Sequence, residues 1–283
     1  MTESTRPGRI HEISAVSNPR IKSIRGLFQK KHRDQTETFL VEGLKLIMDA
    51  YDHGWKIETL VYSKGDETRN LIDELAAKVR VQGGDILEVN NKVLTSITRK
   101  DNPQTVLGVI KQKWSKPPST VVDPNTVWIG LDRVRDPGNL GTIIRTADSA
   151  GADGIILIGE TTDPFSVEAT RATMGSIFNV PLVRMTNQNF LDWRKQWNGL
   201  VVGTHLKGAV DFRTLDYSAQ PILLMMGNEQ QGLPDELADT CDHLALIPMH
   251  GAADSLNLAI ATGVFLFQMG KRLPEPTHCG DGK

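Results

Sequence analysis

After residue 125 the chain carries five short, nearly uninterrupted apolar runs, at 126–131, 154–158, 200–204, 221–226 and 244–247. A strand with one face in water alternates apolar and polar residues. A run that is apolar at consecutive positions must hide both faces, as parallel strands do when helices cover them on either side. Helical stretches separate the runs at 140–150, 168–174, 188–196 and 234–239, and a last one covers 257–273. No internal repeat is visible. The pattern predicts an open, parallel α/β sheet covered by helices.

The first part of the chain reads as a smaller α/β domain. Pro19 opens an amphipathic helix over 17–29, with Ile21, Ile24, Leu27 and Phe28 on one stripe and Lys22 and Arg25 off it. Strands are expected at 38–42, 57–62, 86–89 and 106–110, and helices at 44–53, 69–78 and 92–98. Around Pro117 and Pro118 all periodicity stops. The expected division is a domain over 10–113, a linker over 114–124 and a second domain over 125–273, since 283 residues suffice for two domains that each bury a core.

Net charge is only −2, but it is unevenly spread. Residues 1–118 carry 20 Lys and Arg against 15 Asp and Glu, whereas 119–283 carry 12 against 19. Within 13–33, Arg20, Lys22, Arg25, Lys30, Lys31 and Arg33 occur with no acid among them. Such a run can displace counterions from several phosphates, although a basic run by itself is more often a solvated helix face. The 39% hydrophobic and 23% charged content fits a globular protein. The longest apolar stretch, 256–269, is interrupted by Asn257, Thr262 and Gln268 and is too short to span a bilayer. The polar N-terminal residues do not read as a secretory signal. Cys241 and Cys279 offer neither a disulfide framework nor metal-ligand spacing, so no metal is expected and a reducing cytoplasm is.

In open α/β sheets ligands sit beyond the carboxyl ends of the strands, which directs attention to three loops. The first runs from Leu131 through Asp136, Pro137, Gly138 and Asn139 to Arg145. Asn139 can cap the helix that follows, and sequence alone does not put Asn139 and Arg145 on one helix face. The second is Gly227-Asn228-Glu229-Gln230-Gln231-Gly232-Leu233, in which two glycines allow close backbone approach and Glu229 accepts hydrogen bonds. The third is Ile247-Pro248-Met249-His250-Gly251, followed by Asp254-Ser255-Leu256-Asn257, where Asp254 or Ser255 can cap the last helix.

In this order and spacing the three loops resemble the motifs of the SpoU (TrmH) family of RNA ribose methyltransferases, within the SPOUT superfamily. The likeness is carried most strongly by residues of about 125–270, and 10–113, with Phe39-Leu-Val-Glu-Gly43, looks like the family's ribosomal-protein-like substrate-binding domain. The resemblance implies a deep trefoil knot, in which the chain after about Leu223 threads through an earlier loop. It also implies a homodimer and S-adenosylmethionine as cofactor. It places Thr204, Gly227, Asn228, Gly232, Ile247, Met249 and Leu256 around that cofactor and the basic segment on RNA. One departure is Gln268, where many relatives have Glu.

For catalysis the resemblance nominates Arg145 nearest the ribose 2′-hydroxyl, with Asn139, Ser255 and Asn257 orienting ribose and Arg145, and Glu229 fixing Arg145. An arginine with its pKa above ~12 is a poor base. Its expected part is therefore to position phosphate and stabilise developing alkoxide. The implied activity is 2′-O-methylation of RNA. The basic N-terminal domain favours ribosomal over transfer RNA, since minimal relatives acting on transfer RNA often lack it. Alternatives are a transfer RNA methyltransferase, an antibiotic-resistance methyltransferase and a catalytically silent RNA-binding or assembly protein. A base-nitrogen methyltransferase would carry other motifs, and a dinucleotide oxidoreductase lacks its G-x-G-x-x-G.

Overall fold

The apolar runs become strands in the computed structural model, which describes residues 6–63, 69–98, 105–119, 123–205, 209–252 and 254–270. In chain order the first part forms β1 (Ile10–Ile13), α1 (Pro19–Gly26), α2 (Lys30–Thr36), β2 (Thr38–Glu42), α3 (Leu44–Asp52), β3 (Ile57–Ser63), α4 (Arg69–Val81), β4 (Asp85–Val89), α5 (Asn91–Thr98) and β5 (Val106–Lys111). There follow β6 (Val127–Asp132), α6 (Pro137–Ser149), β7 (Gly154–Ile158), α7 (Val167–Ala172), β8 (Leu182–Met185), α8 (Asn187–Arg194), β9 (Leu200–Thr204), β10 (Val210–Asp211), β11 (Ile222–Met226), α9 (Asp235–Ala238), β12 (His243–Leu246) and α10 (Leu258–Met269).

Contacts divide the chain into two units. One holds the described residues up to Lys113 together with Asp163–Phe178; the other holds Trp114–Thr162 and the described residues from Asn179 onward. Contiguous bounds of 125–273 do not contain this hand-over. In the first unit the sheet order is β1-β4-β3-β5-β2, with β5 antiparallel to both its neighbours and the remaining pairs parallel. Phe39, Trp55, Phe165 and Phe178 pack as one aromatic cluster, with centroids 4.8–6.3 Å apart, and so join 163–178 to this core.

The helix expected over 17–29 stops at Gly26, capped at its start by the Asn18 side chain, and α2 follows as a separate helix. The polar sequence of α2 hides it from periodicity, because its one buried residue is an arginine. The start of the expected linker is bonded into the second unit. Ser115 donates its N–H to Leu182 O (2.8 Å), the Arg184 guanidinium lies 4.9 Å from the Trp114 ring, and Trp193 Nε1 donates to Pro118 O (3.2 Å).

The second unit is a sheet of order β10-β12-β9-β11-β6-β7-β8 whose pairs are all parallel. β6, β7 and β11 are buried along their whole length, as their apolar runs require. β1, β8 and β10 were not legible as strands. Each is a sheet edge, short and polar on one side, so none needs a continuous apolar run. β11, late in sequence, lies between β6 and β9, which brings the loops after β6, β9, β11 and β12 to one end of the sheet. Helices α6 and α10 pack against each other. α10 ends at Met269 on a left-handed Gly270; residues 271–273 of the expected helix, and Cys279, lie outside the described residues.

Candidate active site

The three loops close around one cavity of about 790 Å3. Its lining includes Asn139, Thr204, Gly227, Asn228, Glu229, Gly232, Ile247, Met249, Ser255, Leu256 and Asn257, that is, every residue the sequence nominated for chemistry or cofactor except Arg145. Arg145 is exposed on α6.

The loop after β11 is shaped by its first and last glycines. A Cβ on Gly227 would lie 2.1 Å from the carbonyl carbon of Gly232, and Gly232 itself has φ +70°. Only glycine permits the first approach, and a side chain would strain the second. The ring is tied by reciprocal backbone bonds between Asn228 and Gly232 (2.9 and 3.1 Å) and by Asn228 Oδ1, which accepts from Gln230 N and Gln231 N. Asn228 Nδ2 donates to Arg133 O (2.8 Å), tethering this loop to the end of β6.

Arg133 is a joint that sequence reasoning missed. It has φ +47°, a left-handed conformation costly for a residue with a long side chain. Its Nε and Nη2 lie 2.8–2.9 Å from Oδ2 of the fully buried Asp132, and its Nη1 donates to Gln231 Oε1 (3.2 Å). The hydrogen bond and charge of Asp132 raise the Arg133 pKa further, so the guanidinium stays charged. A charged pair directly after an apolar strand was the available signal.

Glu229 reaches back to the first loop rather than to Arg145. Its two oxygens accept from Arg135 N, Asp136 N and Asn139 Nδ2, each at 3.4 Å. Asn139 Oδ1 in turn accepts from Asn257 Nδ2 (2.8 Å). Asn139 is not the helix cap: Asp136 caps α6, its Oδ1 accepting Asn139 N at 2.6 Å. Nor does Asp254 or Ser255 cap α10, since Asn257 does so, accepting from Ala259 N and Ile260 N. Capping fixes the backbone of Asn257 and leaves its amide N–H to hold Asn139. Residues from all three loops are thereby joined in one chain, Glu229 to Asn139 to Asn257.

The floor comes from α10, where Leu258, Ala261 and Phe265 line the cavity at helical spacing, Phe265 also packing against Phe212 at 5.1 Å. Their role was not legible, because on a core-facing helix the same spacing is ordinary packing. Among the described residues the titratable lining is acidic, with Glu229, Asp235 and Asp254, a histidine, His205, and no Lys or Arg. Among the described residues no group of three or more His, Cys, Asp and Glu could hold a metal ion.

In the first unit the basic segment divides. Lys22, Lys30 and Lys31 are exposed. Arg20 is half-exposed and pairs with Asp85 (2.6 Å), and Arg25 donates to Val16 O (3.2 Å). Lys22, Arg25, Gln29, His32 and Ser96 share a concavity of about 450 Å3 with no acid among the described residues of its lining. Arg33 does not fit an RNA-contacting surface. It is 4% exposed, held by Asp163 through Nε (2.7 Å) and Nη2 (2.6 Å) and by Leu27 O through Nη1 (2.7 Å).

Residues 126–267 match the model of the SpoU rRNA Methylase family, and 18–108 match the MRM3-like substrate binding domain. The chain is 53% identical to an AdoMet-bound rRNA methyltransferase from Sinorhizobium meliloti, covering 94% of this chain and 99% of that one, with a TM-score of 0.87. It is 30% identical to the 23S rRNA (guanosine(2553)-2'-O)-methyltransferase RlmP of Bacillus subtilis, over 91% of this chain and 98% of that protein. It is 32% identical to a 23S rRNA (uridine(2479)-2'-O)-methyltransferase of Streptomyces viridochromogenes, over 86% and 85%.

Proposed function

Because the chain belongs to the SpoU rRNA methylase family, we propose that it transfers the methyl group of S-adenosylmethionine to a ribose 2′-hydroxyl of RNA, ribosomal rather than transfer RNA. The observation that carries the reading is the gathering of three separate loops around one acidic, partly apolar cavity bridged by Glu229, Asn139 and Asn257. The lining fits the cofactor. A sulfonium cation suits a cavity whose described lining has carboxylates and no Lys or Arg, and Ile247, Met249, Leu256 and Phe265 offer apolar surface to the rest of the molecule. When bound, S-adenosylmethionine supplies an electrophilic methyl group.

Thr204, Gly227, Asn228, Gly232, Ile247, Met249 and Leu256 hold the cofactor, while Asn139, Ser255 and Asn257 orient the ribose. Glu229 keeps the first loop closed by accepting its N–H groups. Arg145 positions phosphate and stabilises developing alkoxide as the hydroxyl proton leaves late. Its exposure on α6 supports completion of the site by a second subunit. The same helix pair supplies a surface for that subunit: Ile260 and Phe267 of α10, 58% and 49% exposed, stand on one helix face with Val264 between them. The protein acts as a homodimer in the cytoplasm. The insertion of β11 between β6 and β9 supports the trefoil knot of the fold family. Lys22, Arg25, Lys30 and Lys31 bind RNA backbone.

Labelled S-adenosylmethionine offered with an unmethylated 23S rRNA transcript, or with transfer RNA, tests this reading. Label at a ribose 2′-oxygen of the transcript is the expected result. Label only in transfer RNA overturns the substrate, label on a base nitrogen overturns the reaction, and cofactor binding without transfer to either RNA points to a silent assembly protein.

A further inference from the structure

The residues that join the three loops border two cavities. Beside the larger one lies a concavity of about 400 Å3 that shares Asn139, Asn228, Glu229, Gln230 and Asn257 with it and adds Arg135 and Asp136. Charge sorts the two. Among the described residues that line them, the larger cavity has no Lys or Arg, whereas the smaller has one cation, Arg135.

The β6 loop carries two arginines in different states. Arg133 is engaged with Asp132 and Gln231. Arg135 is exposed, and among the described residues its guanidinium has no hydrogen-bond or ion-pair partner; only its backbone N–H is engaged, by Glu229. The two carboxylates of the smaller concavity are already occupied with N–H donors, Asp136 by the cap of α6 and Glu229 by the first loop. Neither is paired with Arg135.

Substrate chemistry supplies the next step. In RNA the carbon bearing the 2′-hydroxyl adjoins the carbon bearing the 3′-phosphodiester, so a hydroxyl brought to the shared residues brings a phosphate with it. Arg145 lines neither cavity. We infer that the smaller concavity seats the acceptor nucleotide and that Arg135 binds its 3′-phosphodiester, using the planar fork that matches phosphate oxygens. The inference rests on methyl transfer to RNA ribose as proposed above. Arg135 then acts on the substrate, not on the cofactor and not as a base. Because Glu229 holds the backbone N–H of the same residue, the closed second loop also fixes where the Arg135 side chain starts.

The test compares the full chain with its R135A and R135K variants in three measurements: S-adenosylmethionine affinity by calorimetry, salt dependence of binding to a 23S rRNA transcript, and steady-state methylation. R135A should flatten the log–log salt slope by roughly 0.7, the loss of about one single-strand phosphate contact. It should raise the KM for RNA about tenfold, in the range of one lost charge-assisted contact, with cofactor affinity unchanged. R135K should restore the slope, since the charge remains, but only part of the KM, since the fork does not. Wild-type RNA affinity and slope in R135A would overturn the inference. So would a loss of cofactor affinity as large as the loss for RNA, which would make Arg135 a brace of the loop. Wild-type protein that never methylates RNA would overturn the activity, while the salt slope still decides whether Arg135 meets phosphate.

Discussion

Arg33 and Lys22 belong to one basic run yet have opposite surroundings. Removing Arg33 would leave Asp163, 9% exposed, without its countercharge. Arg33→Ala is therefore expected to destabilise the protein by about 3–5 kcal/mol, measured by urea unfolding. Lys22→Ala should leave stability within about 0.5 kcal/mol and flatten the salt dependence of RNA binding by roughly 0.7. A basic run read from sequence cannot make this distinction, because the partner of Arg33 lies far along the chain. Glu229 is a second case. A glutamine there keeps one acceptor oxygen where the structure uses two, so a donor of the first loop loses its partner. Glu229→Gln is expected to reduce kcat by on the order of 10² to 10³ while the protein stays folded, with single-turnover methylation and circular dichroism as the measurements. Cys241 has no such role, burial pushing its thiol up to about 12 and leaving it unreactive near neutral pH.

Among the elements, the loop after β11 depends most on a single residue type. The polypeptide passes so close at Gly227 that an added methyl group meets backbone rather than a yielding side chain. Gly227→Ala should open the ring closed by the Asn228–Gly232 bonds and weaken S-adenosylmethionine binding at least tenfold, read by calorimetry; unchanged affinity would show that the ring is not the cofactor's seat. The α10 cap illustrates how one side chain serves two purposes. Its carbonyl oxygen satisfies helix N–H groups, and its amide holds Asn139. The motif made Asn257 legible as a site residue, but its capping role required the backbone angles at the start of the helix.

At the scale of the whole molecule, the acidic cavity and the basic segment lie in different units, consistent with separate tasks of holding a cation and meeting phosphate. Assembly is the remaining question. Ile260→Asp with Phe267→Asp places charges on the exposed face of α10. The double variant is expected to sediment as a monomer of about half the wild-type mass and to lose methyl transfer, while binding S-adenosylmethionine within a few fold of wild type. A wild-type monomer with full activity would remove the second subunit from the site.

The parallel sheet and the three loops at its carboxyl ends are legible along the chain, because continuous apolar runs and glycine-bounded polar turns are local properties. The family is legible there too, through residues that lie close together within each loop. What those residues hold is a tertiary property: Glu229 meets the first loop, Arg133 is engaged by Asp132 while Arg135 is left toward a second concavity, and Arg33 is withdrawn from solvent. The edge strands β1, β8 and β10 and the grouping of 163–178 with the first unit were hidden for the same reason. Hydrogen-bond partners and burial depend on which distant segments meet. That depends on strand order, and here a late strand, β11, inserts between two earlier ones, an arrangement that periodicity along the chain does not encode.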